Sequence, residues 1–386
     1  MTTFISYSGD RPLRLELVRA LRDHGVTPWR DVENLAAGDR TSETIEAELA
    51  ECTNVILWVN DAVLASAYVA NVELPAIARA ARDRAIRITP VFDGLSPSGA
   101  AERISRFGIE IGENNGHVVD PSLANADTAA AIALAQATGE VRVAHRTQRP
   151  PIVRLVTYDD TAAHRDDAIL NFDWRHHFVS PTLDPASESR LREALTSATA
   201  AVKASYGATV ITLAVKAHLP IAVALGHAFA EPTGCTIRMT RDDLTYITGR
   251  ARGATNLLRE ASHSKGPIDA RAAAMELAVT RDTEAGVDAY IGAGNRYRER
   301  VLLTPADGPG RFALDGSDAC NAWARQTSEV AARLAGGAAV DRVDLFLACP
   351  VELAVAVGWW TNATGPLQLL NWTGKAGPYA PMWRVP

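Results

Sequence analysis

The sequence predicts an α/β protein of two regions, and three observations carry that reading. Short runs rich in β-branched and aromatic residues alternate with longer stretches of helical apolar spacing. A polar, arginine-rich stretch closed by a proline pair, 140-EVRVAHRTQRPP, interrupts the alternation. Beyond it, a pattern of β-rich run, Pro-containing turn and Ala/Val helix occurs twice. The chain has 386 residues, 22% charged and 47% hydrophobic. At about 150 residues per domain this is two to three domains, each able to bury a core, and disorder is excluded as the main state.

The first region, residues 1–138, reads as a βαβ series. Strand candidates are Thr3–Tyr7, Val26–Trp29, Asn54–Val59, Ile86–Phe92 and His117–Asp120. Helical spacing fills Pro12–His24, Ser42–Cys52, Ser66–Arg84 and Pro121–Ala137. Such alternation gives a five-stranded parallel sheet covered by helices on both faces. The stretch after Gly139 resists both helix and central strand, so the linker is expected at 139–151.

The second region, residues 152–386, again alternates strands (Ile152–Thr157, Thr209–Val215, Cys235–Met239, Val343–Ala348, Leu367–Asn371) with Ala-rich helices. It also echoes itself. In 213-LAVKAHLPIAVALG and 345-LFLACPVELAVAVG, Leu213 matches Leu345, Ala222-Val223-Ala224 matches Ala354-Val355-Ala356, and Gly226 matches Gly358. The repeat predicts two related α/β halves, about 152–260 and 261–386, with a crevice between them at the carboxyl ends of the strands.

Composition narrows the function. A formal net charge of −6 argues against a protein that coats DNA or an anionic membrane, so any nucleotide ligand is expected to be small. Cys52, Cys235, Cys320 and Cys349 are far apart and mostly within apolar runs, which predicts buried thiols in a reducing compartment. The start, MTTFISYSGD, has neither a basic nor an apolar signal segment, and apolar stretches break well short of about 18 residues, so a cytosolic protein is expected. There is no Walker A, HExxH or GxSxG motif, and 291-IGAGNRYRER has Tyr297 where a dinucleotide fingerprint needs its third glycine. His176-His177 lacks a spaced Cys or carboxylate partner, so no metal site and no resident cofactor are expected.

The first hundred residues carry an ordered set of short motifs: FISYSGD at 4–10, 25-GVTPWRD, NLAAGD at 34–39, the strand 54-NVILWVND, and 66-SAYVANVEL. In order and spacing they resemble the Toll/interleukin-receptor (TIR) domain, in particular its bacterial branch that hydrolyses NAD. Ser6-Tyr7-Ser8 matches the turn after the family's first strand; Trp29 and Asp31 match the end of its second; Leu35, Gly38 and Asp39 match its BB loop. Ser66, Val69, Glu73 and Leu74 fill the Ser-x-x-aromatic-x-x-x-Glu-Leu pattern whose glutamate is catalytic in the family. Val69 departs from the aromatic, no Cys precedes Glu73, and Pro75 forbids an unbroken helix. The resemblance implies a flavodoxin-like sheet and an NAD glycohydrolase in which Glu73 is catalytic. It implies NAD contacts from Tyr7, Ser8, Trp29, Arg30, Asp31, Asn34, Gly38, Asp39 and Ser66. It also implies that the BB loop of one copy completes the cleft of its neighbour.

Elementary chemistry agrees on the glutamate. Glycoside hydrolysis normally needs two carboxyl groups because the leaving oxygen must be protonated. Nicotinamide leaves a pyridinium as an already neutral molecule, so one carboxylate that steadies the positive charge at the anomeric carbon is enough. On a continuous helix Ser66 and Glu73, about two turns apart, would share a face. Pro75 is suited to start a fresh helical segment just beyond Glu73.

The second region, with its doubled texture and its end 343-VDLFLACPVELAVAVGWWTN, resembles a SAVED domain, a fusion of two CARF-like, Rossmann-like subdomains. Together the two resemblances match the TIR–SAVED effectors of bacterial anti-phage (CBASS) systems. They imply a cyclic oligoadenylate activator, most simply cyclic tri-adenylate, and activation by head-to-tail oligomers or filaments. Lys216 and His218 in the first half, and Trp359, Trp360 and Asn362 in the second, are the groups suited to phosphates and adenines. Two alternatives stay open: a non-catalytic TIR adaptor, for which Glu73 is dispensable, and a TIR enzyme whose product is a cyclised ADP-ribose signal.

Overall fold

The computed structural model describes residues 2–7, 12–29, 41–84, 86–111, 116–158, 167–179, 181–241, 243–249, 257–310, 314, 316–337, 340–374 and 379–386. They form two compact units, Met1–Val143 with Arg165–Phe172, and Ala144–His164 with Asp173–Pro386.

In the first unit, strands β1 (Thr2–Ser6), β2 (Thr27–Trp29), β3 (Asn54–Val59), β4 (Arg87–Phe92) and β5 (His117–Val118) pair in parallel, in the order β2-β1-β3-β4-β5. This is the flavodoxin-like order, and its topological switch point lies at the carboxyl ends of β1 and β3. β3, NVILWV, is buried along its whole length, as a central strand between helical layers must be.

Two helices depart from the sequence expectation. The one expected over Ser66–Arg84 is instead a helix at Asp61–Ala65, a π-turn at Val69–Glu73 and a helix at Leu74–Arg84. The Pro75 ring would clash with the carbonyl of Asn71 in an unbroken α-helix, and the wider turn avoids this. The second, Asn125–Arg146, runs through much of the stretch expected to be a linker. Packing overrides its polar composition: Val141 is fully buried, and the Glu140 carboxylate accepts hydrogen bonds from Thr3 Oγ1 (2.6 Å) and Asn54 Nδ2 (3.2 Å) at the amino ends of β1 and β3. Gln136, one turn earlier, donates to Thr3 and accepts from Thr89.

Two larger sheets follow. Strands β6 (Ile152–Val156), β7 (Leu170–Asp173), β10 (Val210–Lys216), β11 (Thr236–Arg241) and β12 (Leu244–Ile247) take the order β12-β11-β10-β6-β7, and β8 (Phe178–Val179) and β9 (Thr182–Leu183) form a small ladder. Strands β13 (Arg259–Lys265), β14 (Ala272–Ala278), β15 (Glu299–Thr304), β16 (Arg342–Ala348), β17 (Leu367–Trp372) and β18 (Tyr379–Val385) take the order β13-β15-β14-β16-β17-β18. The four inner strands of this sheet are parallel and its two edge strands antiparallel. β14, AAAMELA, reads as helix by propensity, yet it is buried at every position between β15 and β16, and burial decides.

The echoed segments meet. Helices Leu219–Ala228 and Val351–Trp360 approach until a Cβ on Gly226 would lie 2.0 Å from the Val355 carbonyl oxygen, and one on Gly358 would lie 2.0 Å from that of Val223. Each glycine admits the other helix's backbone, and each of the two contacts is the other with 132 added to or taken from both numbers, the offset of the sequence repeat. The fold class is therefore the expected one, a parallel flavodoxin-like sheet followed by a pseudo-duplicated α/β domain. All four cysteines are free and buried, and burial pushes the Cys320 and Cys349 thiols well above their ordinary range. Among the described residues no helix is long and apolar enough to cross a membrane.

Candidate functional site

At the switch point of the first unit, Ser6 Oγ donates to Glu73 Oε2 at 2.5 Å. Ser6 ends β1 and is fully buried; Glu73 ends the π-turn and is 4% exposed. The turn is what aims the glutamate: it closes at Glu73, and Leu74 opens the next helix. A carboxylate fixed by a neighbouring hydroxyl at the mouth of a parallel sheet can accept from sugar hydroxyls and face a developing cation.

Other polar groups gather at the carboxyl ends of these strands. Asn60 follows β3; its Oδ1 caps the helix Asp61–Ala65 at Val63 N (2.8 Å), and its Nδ2 donates to Asp93 Oδ2 (3.1 Å) just past β4. Trp58 Nε1 donates to the same Asp93 oxygen at 3.0 Å. The buried Arg14 guanidinium lies 5.0 Å from the Tyr7 ring centroid and 5.6 Å from that of Trp58.

Of the residues expected to contact NAD, Tyr7 stands beside Ser6 and is half-buried. Ser66 is not on a helical face shared with Glu73: it ends the helix Asp61–Ala65 and caps the helical run that follows, its Oγ accepting from Val69 N (3.4 Å), and the π-turn within that run shifts the phase before Glu73 is reached. Trp29 is a core residue rather than an open stacking surface: it is 4% exposed and stacked on Phe4, its neighbour across the β1–β2 pair, with centroids 5.0 Å apart. Ser8, Arg30, Asp31, Asn34, Gly38 and Asp39 lie outside the described residues. Ser6, Asn60 and Asp93 were not singled out as contacts. The polar break ending each apolar run, as in WVND and VFDG, is the signal that could have found the last two.

In the second unit, polar and aromatic groups again collect at strand carboxyl ends. His218, after β10, donates its backbone N–H to Thr157 Oγ1 (2.9 Å), and the Thr157 hydroxyl meets His218 Nδ1 at 2.7 Å. The hydroxyl thus holds both the backbone and the ring of His218, and the direction of the second bond follows the imidazole tautomer. Burial pushes this imidazole below its ordinary pKa, so it is neutral at pH 7. Phe178 stacks on it at 4.6 Å, Tyr158 meets its edge at 5.4 Å, and Lys216 Nζ lies 5.9 Å from the Tyr158 centroid. In the other half, the Arg281 guanidinium sits 4.8 Å from the centroid of Trp372, the last residue of β17. The carboxyl ends of the two sheets meet where Arg241, ending β11, pairs with the buried Glu352 in the first turn of Val351–Trp360 (3.0 Å) and donates to the Tyr246 hydroxyl (3.1 Å).

Lys216 and His218 thus stand together with Thr157, Tyr158 and Phe178, which sequence reasoning missed. Trp359 does not present its ring: it is buried, its indole N–H donates to the Cys235 carbonyl (2.9 Å), and the close helix packing accounts for it. Trp360 is half-buried against it, and Asn362 is exposed on the turn that follows.

Comparison with known proteins assigns these units. Residues 3–107 match the TIR domain. Residues 188–385, just over half of the chain, match the SAVED family, described as the SMODS-associated and fused to various effectors sensor domain. Among solved structures the chain is similar to the Acinetobacter baumannii Cap4 SAVED/CARF-domain containing receptor with the cyclic trinucleotide 2'3'3'-cAAA, at 14% identity and a TM-score of 0.48 over 91% of this chain and 86% of that one. It is also similar to the Moraxella osloensis Cap4 receptor, at 12% identity and a TM-score of 0.46 over 97% and 98%. No curated protein matches. The chain belongs to the SAVED family and carries that sensor domain fused behind a TIR domain.

Proposed function

We propose that this chain is a messenger-activated NAD glycohydrolase of bacterial anti-phage defence, working in the cytosol. A cyclic oligoadenylate, most simply cyclic tri-adenylate, binds the sensor domain, and the TIR domain then cleaves NAD to nicotinamide and ADP-ribose. The Ser6–Glu73 pair is the observation that carries the reading. In the reaction the nicotinamide–ribose C–N bond breaks and its electron pair neutralises the pyridinium nitrogen. Water forms the new C–O bond at the anomeric carbon and gives up a proton. The Glu73 carboxylate steadies the oxocarbenium-like centre, and Ser6 holds the carboxylate in place.

The messenger reading rests on the sensor-domain family and on the paired clusters at the strand ends: the His218 imidazole and Lys216 in one half, Arg281 and Trp372 in the other. Cations and N–H donors suit phosphates, and flat rings suit adenines. Copies joined head to tail through a contact that does not close form a filament, which would supply each TIR cleft with its neighbour's loop.

The test is nicotinamide release from NAD by the purified chain with a panel of cyclic di- and trinucleotides, with negative-stain imaging of the same samples. Cyclic tri-adenylate is expected to start release and to produce filaments, and Glu73→Gln to abolish release while leaving the filaments. Silence with every panel member, or undiminished release by Glu73→Gln, overturns the enzyme reading.

A further inference from the structure

We propose that the sensor domain carries a second ligand site, a cavity of about 290 Å³ that takes a small organic anion, one phosphate on a body no larger than a nucleoside. The helix Glu188–Tyr206, the last turn of Leu219–Ala228 and the end of β18 enclose it.

Its walls are largely apolar, with Leu195 and Trp383 among them, while four cationic or basic side chains line it: Arg192, Lys203, His227 and Arg384. Among the described residues that line it there is no acidic side chain. Nearby Glu188 accepts from the Arg192 guanidinium and from the Arg384 backbone N–H (3.1 Å), so Arg192 already has its counter-charge. Lys203 and His227 do not. Lys203 Nζ gives one hydrogen to the Ala228 carbonyl (3.0 Å), and an ammonium has two more. His227 Nδ1 is buried and has no hydrogen-bond partner. Burial holds the Lys203 ammonium below its ordinary pKa, and burial together with the Lys203 charge does the same to His227. A phosphate in the cavity accepts from the Lys203 ammonium, and its negative charge relieves the penalty on the charged form of both groups.

Size and place separate this cavity from the crevice at the strand carboxyl ends. Pockets for drug-sized ligands run from about 300 to about 1,000 Å³, so this one suits a mononucleotide and is too small for a cyclic trimer. Val385 pairs with Leu367, the first residue of β17, which puts that wall at the amino edge of its sheet. His218 caps the start of the helix whose last turn lines the cavity, about 15 Å away for ten residues.

Calorimetric titration of the full chain with AMP, inorganic phosphate and adenosine tests the proposal. AMP is expected to bind once per chain, phosphate more weakly and adenosine not at all. Lys203→Gln should weaken AMP by roughly tenfold or more, the loss of a charged hydrogen bond, and His227→Gln, which removes a neighbouring positive charge, should weaken it by a smaller factor. Lys203→Arg, which keeps the charge and a donor for Ala228, should bind within a few-fold of the parent. Proton NMR of His227 should show its imidazole pKa rising when AMP is present. The proposal is overturned if AMP does not saturate, if the folded glutamine variants bind it as the parent does, or if adenosine binds equally well. Phosphate binding as tightly as AMP would refute the organic body, and competition with the cyclic trimer would move AMP to the other crevice.

Discussion

Replacing Gly358 by alanine puts a methyl group where the sensor domain has another helix's backbone. The new Cβ would lie 2.0 Å from the Val223 carbonyl oxygen and 2.8 Å from the His227 nitrogen. The first is about 1.5 Å and the second about 0.7 Å inside the ~3.5 Å at which non-bonded atoms rest. Neither obstacle is the tip of a flexible side chain, so the helices Leu219–Ala228 and Val351–Trp360 must part. Overpacking of this kind costs about 1–3 kcal/mol, against about 0.5–1 kcal/mol that alanine gains over glycine within a helix. The net is roughly 1–2 kcal/mol of destabilisation. For a domain of this size each kcal/mol moves the melting temperature by about 2–4 °C, so calorimetry should show the sensor transition falling by several degrees. Gly292→Ala is the control: it ends the helix Glu284–Gly292 with nothing within 4 Å of the new Cβ, and should cost nothing. Gly226→Ala should behave like Gly358→Ala, and the double variant should fall short of the sum, because either methyl opens the same contact. If Gly358→Ala melts with Gly292→Ala at or above the parent, the reciprocal helix contact is wrong.

The first unit offers two more tests. Ser6→Ala deletes the donor that fixes Glu73; messenger-activated nicotinamide release should fall by about tenfold in kcat with little change in KM, and an unchanged rate would dissociate the pair from catalysis. Burial raises the Glu140 carboxyl pKa, so the folded state keeps a proton that the unfolded chain has lost. Stability should therefore drop as pH rises from the ordinary carboxylate value through the raised one. Glu140→Gln keeps an acceptor for Thr3 and Asn54 and should flatten that slope, making this unit more stable at neutral pH; a thermal melt series tracking the parent at every pH refutes it.

The sequence makes the first unit more legible than the second because its chemistry is local. The five strands are short apolar runs ended by polar residues, and Glu73 sits in a motif only nine residues long. The helix break before Pro75 is a steric consequence of one ring. What the sequence hides is which neighbour a side chain finds. Trp29 looks the same in a string whether it faces a ligand or Phe4, and Ser6 becomes a partner for Glu73, 67 positions further on, only once the chain between them has folded back. The helix through Glu140 is the same case: its composition is that of a linker, and its conformation comes from Thr3 and Asn54, far away in sequence.

The sensor half sharpens the point, because there alanine-rich text serves both helix and buried strand, and composition alone cannot separate β14 from its flanking helices. The internal echo escapes this ambiguity. Ala/Val runs could align by chance at many offsets, but chance gives no reason for the aligned residues to touch. Gly226 meets Val355 and Gly358 meets Val223, so the glycines and valines matched in the text are paired crosswise in space. An approximate two-fold relation between the two helices produces that pattern; two unrelated helices packed side by side would not. A ligand lying across the two sheets would then meet two versions of one frame with different side chains on it. His218 with its aromatic neighbours stands on one, and Glu352 held by Arg241 on the other. In the proposed function, a frame with these different side chains would present different groups to the two sides of a cyclic ligand, which a symmetric dimer of identical halves would not.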